Sequence, residues 1–252
     1  MHTESFRRRL KQGVPLIGTL VTLPVVEVAE ILIGAGFDWL FVDLEHSPLD
    51  VRDAQAILQA VDREVDCILR VPLNDEVWIK KALDTGAAGI IVPQVNSAEE
   101  ARRAVRFSKY PPQGMRSVGL ARVHGYEPRL GEYVARANAE TAVIVQVEHT
   151  AAVQNAAEIA AVVGVDALLV GPYDLSASMG KIGQVEDAEV QAAVERVRRV
   201  CLEVEMPLGI YTVSPEVARR YVEQGYRLVV VSSDMLMLAR AAGEVVRGVK
   251  GG

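Results

Sequence analysis

The chain has little cysteine and no long apolar run. Its two cysteines among 252 residues, Cys67 and Cys201, lie in separate apolar segments without the short spacing of a zinc or redox motif. No stretch reaches the ~18 apolar residues of a membrane span, and no apolar segment follows the basic residues near the N-terminus. We therefore expect two small core cysteines, a reducing cytoplasmic location and no membrane partner.

Blocks of one charge are also missing. The 33 Asp and Glu residues outnumber the 27 Lys and Arg residues, and the net charge of -6 is spread along the chain without a basic cluster. This pattern argues against nucleic acid as a partner. No linker, low-complexity tract or short repeat interrupts the sequence, so we expect a single domain over residues 1–252.

Short runs rich in Val, Ile and Leu recur along the chain and alternate with amphipathic segments. The eight predicted strands are 15–22, 38–44, 66–71, 88–93, 141–148, 166–171, 207–212 and 227–232. Helix-like segments between them include 25–36, 51–62, 96–108, 150–163 and 214–225. Continuous apolar runs are typical of parallel strands covered on both faces, and eight of them alternating with helices predict a (β/α)8 barrel.

Two further features bear on this prediction. An open doubly wound sheet is the second choice, and it is disfavoured because no Gly-rich nucleotide-binding fingerprint follows a strand. The irregular segment 110–130 is too long for a simple connection, which makes it a candidate active-site loop.

Polar residues gather at the carboxyl ends of the predicted strands, where barrels of this kind build their active sites. They are Asp43, Glu45 and His46 after the second strand, Arg70 at the third, Gln146 and Glu148 at the fifth, and Asp174 beyond the sixth. Each has a structural alternative, since Glu148 or Asp174 could cap a helix and Arg70 could pair with a structural carboxylate. Their convergence at one end of the barrel favours a functional site.

The residue types at this end suit a particular chemistry. Two carboxylates from adjacent strands, Glu148 and Asp174, suit a hard divalent cation such as Mg²⁺ or Mn²⁺ that keeps positions for water and substrate. Such a cation could chelate a 2-oxo acid and stabilise its enolate, with Arg70 at the keto oxygen and His46 moving the proton. These roles predict aldol chemistry on pyruvate.

A Schiff-base lysine is the other way to stabilise such a carbanion, and it would have to project from a strand. The six lysines are Lys11, Lys80, Lys81, Lys109, Lys181 and Lys250. None of them falls in a predicted strand, so metal assistance is preferred over imine formation.

Six motifs occur in a fixed order along nearly the whole chain. They are AGFDWLFVDLEHSP (35–48), LRVP (69–72), KKALDTGAAGIIVPQVNSAEEA (80–101), YPPQGMRSVG (110–119), VQVE (145–148) and GPYDLSASMG (171–180). With these motifs the chain resembles the class II, metal-dependent pyruvate aldolases that include 4-hydroxy-2-oxoheptanedioate aldolase and 2-dehydro-3-deoxyglucarate aldolase. The resemblance implies a barrel of the phosphoenolpyruvate/pyruvate type in a homo-oligomer, usually a hexamer, whose C-terminal helix is exchanged between paired subunits.

The resemblance also implies roles for individual residues. Glu148 and Asp174 would be the ligands of a divalent metal ion, Mg²⁺, Mn²⁺ or Co²⁺. The implied catalytic residues are Arg70 at the keto oxygen, His46 as the base, and Asp43 or Asp84 as the carboxylate that orients His46. A small keto acid and an aldehyde are then the expected partners.

The rest of the implied pocket is less specific. Gly171 and Pro172 would approach pyruvate through their backbone, and Gln146 would line the same pocket beside Asp174. His149 departs from the family pattern, where Thr is common, and this bears on the surroundings of Glu148 rather than on Glu148 itself. The aldehyde half would be read by loop 110–130, through Arg122, His124 and Tyr126.

Two rival functions fit parts of this pattern. A lyase for a malyl- or citramalyl-type thioester of coenzyme A shares the fold, but we expect it to need more sequence after the last strand than residues 233–252. A non-catalytic barrel that senses a keto acid would keep the metal ligands and could dispense with His46.

Overall fold

Eight parallel strands close into one barrel in sequence order in the computed structural model, which describes residues 4–61 and 64–251. The strands are β1 (Leu16–Val21), β2 (Trp39–Asp43), β3 (Asp66–Arg70), β4 (Gly89–Val92), β5 (Ala142–Val147), β6 (Ala167–Val170), β7 (Leu208–Thr212) and β8 (Leu228–Ser233). The predicted (β/α)8 barrel is confirmed, and every predicted strand is present with ends shifted by about one residue, the usual uncertainty of such boundaries.

Helices cover the outside of the barrel and both ends of the chain. They are α1 (Phe6–Lys11), α2 (Val26–Gly34), α3 (Val51–Ala60), α4 (Glu76–Asp84), α5 (Ala98–Ser108), α6 (Leu130–Glu140), α7 (Thr150–Gln154), α8 (Ala156–Ala160), α9 (Pro172–Ser178), α10 (Ala188–Glu203), α11 (Pro215–Glu223) and α12 (Asp234–Lys250). The last residue of the predicted segment 51–62 lies outside the described residues.

One predicted helix is wrong in its continuity. The segment 150–163 forms two short helices, α7 and α8, which meet at Asn155. The Asn155 side chain donates to the carbonyl oxygen of Asn96 at 2.8 Å, in the loop after β4. This contact ties the break between the helices to the neighbouring strand end.

The interior of the barrel is a packed core of alternating side chains. Trp39, Phe41 and Ile68 belong to the buried cluster inside the barrel, and α1 adds Phe6 to its amino end, with the Phe6 and Trp39 rings 5.7 Å apart. Because side chains alternate along a strand, residues two positions beyond these interior residues face the same way. Polar residues at the carboxyl ends of β2, β3 and β5 therefore point into the mouth of the barrel.

The long connection between α5 and α6 lies at the opposite end. Arg122 donates through Nη1 to the carbonyl oxygen of Thr85 at 2.9 Å and through Nη2 to that of Leu58 at 3.3 Å. Thr85 and Leu58 lie at the ends of helices that return the chain from the carboxyl face to the amino face of the barrel. The prediction that loop 110–130, with His124 and Tyr126, forms part of the active site is therefore wrong for the mouth of its own barrel.

The structure also bears on the cysteines and on membrane-spanning helices. Cys67 and Cys201 are both buried and unpaired, as expected. Within residues 4–61 and 64–251, no helix combines the length and the apolar composition that crossing a membrane would require.

Candidate active site

Asp43 and Arg70 form the centre of the polar mouth. They are register partners at the ends of β2 and β3, and Arg70 donates through Nε to Asp43 Oδ1 at 2.8 Å and through Nη2 to Asp43 Oδ2 at 2.6 Å. The guanidinium also lies 5.2 Å from the centre of the Phe41 ring. This two-point pairing fixes the plane of the arginine and leaves Nη1, 3.5 Å from Gln146 Oε1, turned toward other partners.

Glu148 follows β5 and is held by two donors, one to each oxygen. The backbone N–H of Gln94 donates to Oε1 at 2.7 Å, and the Gln146 side-chain amide donates to Oε2. Gln94 adopts a left-handed backbone conformation, with φ of 52°, in the loop after β4. Glu148 does not cap the next helix, because His149 does so by accepting the N–H of Ala151 through Nδ1 at 3.1 Å.

Asp174 lies on the first turn of α9 with an exposed carboxylate. The helix begins at Pro172 after Gly171, and no side chain caps it, so the helix-capping alternative for Asp174 is wrong. Within the described part of the chain its carboxylate has no hydrogen bond or ion pair. A Cβ on Gly171 would lie 2.9 Å from Gln146 Nε2 and 3.1 Å from Glu148 Oε2, so only glycine lets the backbone pass this close.

Glu45 is a further carboxylate of the mouth, to which the sequence assigned no role. Its Oε2 is buried without a hydrogen bond, 3.2 Å from Arg70 Nε and 3.7 Å from His46 Nε2. Burial raises the pKa of Glu45 to about 7, with Asp43 and Asp174 adding to the shift and Arg70 opposing it. Glu45 stands between Asp43 and His46 at the end of β2, and this position could have marked it as a site residue.

Burial likewise raises the pKa of Glu148 to about 7. The negative charges of Glu45 and Asp174 add to this shift, while the Gln94 N–H and Arg70 oppose it. Two neighbouring carboxyl groups with raised pKa values mark a place where negative charge is under-compensated.

The structure does not bring together the predicted partners of His46. Its imidazole is 63% exposed, and Asp43 is committed to Arg70 instead. Asp84 ends α4 at the amino face and accepts from Arg116 Nη2 at 2.8 Å, so within one chain it lies away from His46. Within a single chain neither carboxylate contacts the imidazole, and Glu45 is the acidic group beside it.

The donor set of the mouth fits a hard cation. Four carboxylates share the mouth with Arg70: the charges of Asp43, Glu45 and Glu148 act on the guanidinium, and that of Asp174 acts on Glu45 and Glu148. Only Asp43 pairs with Arg70 through both of its oxygens. Among the described residues no group of three or more His, Cys, Asp or Glu forms a closed metal cage. Two oxygen donors with free coordination positions, as Glu148 and Asp174 offer, are instead typical of Mg²⁺ or Mn²⁺ sites that also bind substrate.

No lysine of the described chain is placed to form a Schiff base with a substrate in the mouth. The six lysines lie in helices or connections of the described chain and none on a strand. The most buried of them, Lys109, donates to the carbonyl oxygen of Thr141 at 2.6 Å, at the amino end of β5. Burial lowers its pKa to about 8, with Arg7 adding to the shift, but it lies at the end of the barrel away from the mouth.

Fold and site together define a (β/α)8-barrel enzyme with an acidic, oxygen-lined centre at the carboxyl ends of its strands. Residues 20–241 match the HpcH/HpaI aldolase/citrate lyase family. The chain belongs to this family, and the predicted class of enzyme, an aldolase, is confirmed.

Similar proteins cover nearly the full chain. A 2-dehydro-3,6-dideoxy-6-sulfogluconate aldolase of Pseudomonas putida is 43% identical over 96% of this chain and 94% of its own length. A 4-hydroxy-2-oxo-heptane-1,7-dioate aldolase of Escherichia coli is 42% identical over 94% and 92%. The crystal structure of an HpcH/HpaI aldolase/citrate lyase family protein from Burkholderia cenocepacia superimposes with a TM-score of 0.94 at 37% identity, over 98% of this chain and 100% of that one.

Proposed function

We propose that the chain is a divalent-metal-dependent aldolase that reversibly cleaves a 4-hydroxy-2-oxo acid to pyruvate and an aldehyde. The observation that carries this proposal is the pair of carboxylates of Glu148 and Asp174, which share the mouth with Arg70, whose Nη1 is the donor left over from its pairing with Asp43. Aldol cleavage leaves an enolate of pyruvate, so it needs positive charge at the keto oxygen.

Glu148 and Asp174 would hold Mg²⁺, Mn²⁺ or Co²⁺. When bound, the cation supplies Lewis-acid stabilisation of the enolate. Arg70 donates from Nη1 to the keto oxygen, and Asp43 fixes the orientation of that donor. Gln146 positions Glu148 through the amide hydrogen bond, and the backbone of Gly171 and Pro172 makes room for the carboxylate of the keto acid.

His46 is the proposed proton carrier. Its exposed position at the end of β2 allows it to exchange protons with solvent, and its Nε2 lies 3.7 Å from Glu45 Oε2. Glu45 takes the orienting role that was expected of Asp43 or Asp84. In the cleavage direction the His46 imidazole takes the proton of the 4-hydroxyl group as the bond between carbons 3 and 4 breaks and the aldehyde leaves, and it then gives that proton to the enolate carbon to form pyruvate.

One assay tests the function. The protein is incubated with pyruvate, Mg²⁺ or Mn²⁺ and a panel of aldehydes that includes succinic semialdehyde, tartronate semialdehyde, glycolaldehyde and lactaldehyde. We expect 4-hydroxy-2-oxo acid products, loss of activity with EDTA and recovery with added metal. Borohydride added with pyruvate should leave the protein mass unchanged. A pyruvyl adduct on a lysine, together with activity that survives exhaustive chelation, would contradict the proposal.

The rival functions have weaker support. A citrate lyase beta subunit from M. tuberculosis, 15% identical with a TM-score of 0.59, shares the fold alone. A malyl-coenzyme A substrate in the same assay tests the thioester lyase. The non-catalytic keto-acid sensor predicts pyruvate binding without any product.

We further propose a cytoplasmic homo-oligomer, a hexamer in which α12 packs on a neighbouring subunit, with residues 1–252 as one domain. Only Asp234 is buried among the residues of α12. Leu238, Val245 and Val249 are exposed along the helix. An apolar helix face of this length without cover in its own chain supports a second copy as its partner.

A further inference from the structure

Asn155 lies where the helical segment after β5 breaks, between α7 and α8. It precedes α8 in the position where an asparagine side chain commonly caps a helix, yet it makes no capping hydrogen bond there. Its side chain instead donates through Nδ2 to the carbonyl oxygen of Asn96 at 2.8 Å, in the loop after β4. A side chain that gives up a local hydrogen bond for one on a distant loop indicates that the position of that loop matters.

The loop that Asn155 contacts also carries a donor to Glu148. The N–H of Gln94 donates to Glu148 Oε1 at 2.7 Å from a left-handed backbone, with φ of 52°. This conformation is unfavourable for any residue with a side chain, so it persists only where neighbouring contacts hold it. The hydrogen bond to Glu148 therefore depends on what fixes the loop.

Asn96 supplies the contacts that hold Gln94. Its side chain donates through Nδ2 to the carbonyl oxygen of Gln94 at 3.2 Å, and its own N–H donates to Glu100 Oε2 at 2.6 Å. The carbonyl oxygen of Asn96 accepts from Asn155. Side chains from two different elements, α5 and the connection after β5, thus hold both backbone polar groups of Asn96.

These contacts close a ring between two neighbouring connections. Glu148 begins the connection after β5 and accepts from Gln94, and Asn155, later in the same connection, returns to the same loop at Asn96. Among the hydrogen bonds of the described residues, these two are the ones that join the loop after β4 to the connection after β5. Without the contact of Asn155, the loop is joined to this connection only through the carboxylate that it has to position.

We propose that Asn155 is a positioning residue for the metal ligand Glu148, because it holds the Asn96 peptide so that the Gln94 N–H stays directed at Oε1. This inference rests on the proposed metal-dependent function. With one oxygen held by Gln94 and the other by the Gln146 amide, the carboxylate keeps a single orientation. Hydrogen-bonding partners of this kind raise the metal affinity of the ligand that they orient.

The test measures Mn²⁺ affinity of the full chain by calorimetric titration after removal of bound metal with EDTA, so it does not depend on turnover. Asn155→Ala removes the donor, and we expect Mn²⁺ to bind about 10-fold more weakly. Asn155→Asp should show the same loss, because an ionised carboxylate has nearly the size of the amide but no donor. It is the second variant if alanine at the helix break prevents folding.

Asn138→Ala is the matched control. The Asn138 side chain also donates through Nδ2 to a backbone carbonyl oxygen of a distant loop, that of Tyr110 at 2.9 Å, but at the amino face of the barrel. This variant should lower the melting temperature and keep the wild-type Mn²⁺ affinity.

A double-mutant cycle separates positioning from a general effect on the fold. If Asn155 acts through Gln94, Asn155→Ala should cause little further loss of Mn²⁺ affinity in a Gln94→Pro background, because the donor to Glu148 is already absent.

Three results would overturn the positioning role while leaving the aldolase intact. They are unchanged Mn²⁺ affinity in the Asn155 variants, an equal loss in Asn138→Ala, and losses that add in the Gln94→Pro background. A wild type that binds no Mn²⁺ and turns over after exhaustive chelation would instead refute the proposed metal site, and this inference with it.

Discussion

At the scale of single residues, Glu148 and Asp174 are the proposed ligands, and their contribution can be measured without turnover. Glu148→Gln or Asp174→Asn removes one of two charged oxygen donors, so Mn²⁺ affinity should fall by more than the ~10–100-fold typical for residues that only support a ligand. Calorimetric titration measures this, and thermal unfolding should show an intact fold. Unchanged Mn²⁺ affinity in either variant would exclude that residue as a ligand.

The raised pKa values of Glu45 and Glu148 make the metal-free fold sensitive to pH. Both rise from 4.5 to about 7, so in this window the folded state binds more protons than the unfolded chain. Stability from this source is therefore present at low pH and is lost as pH rises through the window. A cation relieves the repulsion between the ionised groups.

Mn²⁺ should consequently raise the melting temperature more at pH 8 than at pH 5.5, because it competes with protons for the same carboxylates. Glu148→Gln should reduce the difference between the two pH values. Thermal unfolding with and without MnCl₂ measures both effects. An equal rise at the two pH values would show that the metal does not bind at these groups.

Arg70 is expected to act on the transition state. Arg70→Lys keeps a charge but loses the planar fork that Asp43 holds, so kcat should fall by about 100- to 1000-fold, the loss typical of an oxyanion donor. Mn²⁺ affinity should barely change, which separates Arg70 from the ligands. If KM for pyruvate rises while kcat is kept, Arg70 binds the ground state instead.

The residues of the mouth were predictable to different degrees. Glu148 and Asp174 followed from their positions at the ends of apolar runs. The partner of Asp43 did not, because its pairing with Arg70 depends on the register of β2 against β3, which the runs leave open. Gln94 left no signal at all, since it acts through its backbone N–H, which every residue except proline carries.

At the scale of elements, the loop after β4 positions Glu148 through this N–H. Gln94→Pro removes the donor and excludes the φ of 52°, whereas Gln94→Gly keeps the donor and favours that conformation. We expect Gln94→Pro to weaken Mn²⁺ binding by about 10- to 100-fold and Gln94→Gly to leave it unchanged. Calorimetric titration of both variants checks this. Equal Mn²⁺ affinities would show that the loop after β4 does not position Glu148 for metal binding.

Segment 110–130 lies at the amino face of the barrel, a location that could not be predicted from its length. Its length marked it as functional, but it follows α5 and precedes β5, and connections from a helix to the next strand lie at the amino face of such a barrel. The order of the elements therefore predicts that this segment lies at the amino face, whereas its length alone does not. Within its own chain the loop is fixed by Arg122 and by the buried His124, whose Nε2 lies 3.1 Å from the Tyr110 hydroxyl.

At the scale of the whole molecule, the barrel was predictable because each parallel strand is buried on both faces and stands out as a continuous apolar run. The last helix was expected only through the family resemblance, which implies that it is exchanged between paired subunits. The C-terminal half of α12 carries Val245, Val246 and Val249 and is exposed in the single chain. Burial of this half requires a neighbour, which the sequence of one chain does not display.

The proposed assembly therefore makes a prediction about α12. Replacing both Val245 and Val249 by Asp places charges on its exposed apolar face, so the oligomer should dissociate into smaller species while the circular dichroism of the barrel is retained. Val163→Asp is the matched control, because Val163 is 93% exposed but lies on another surface, between α8 and β6. Light scattering coupled to size-exclusion chromatography measures the masses. A wild type that is monomeric at micromolar concentration, or a double variant with the wild-type mass, would show that α12 does not join the subunits.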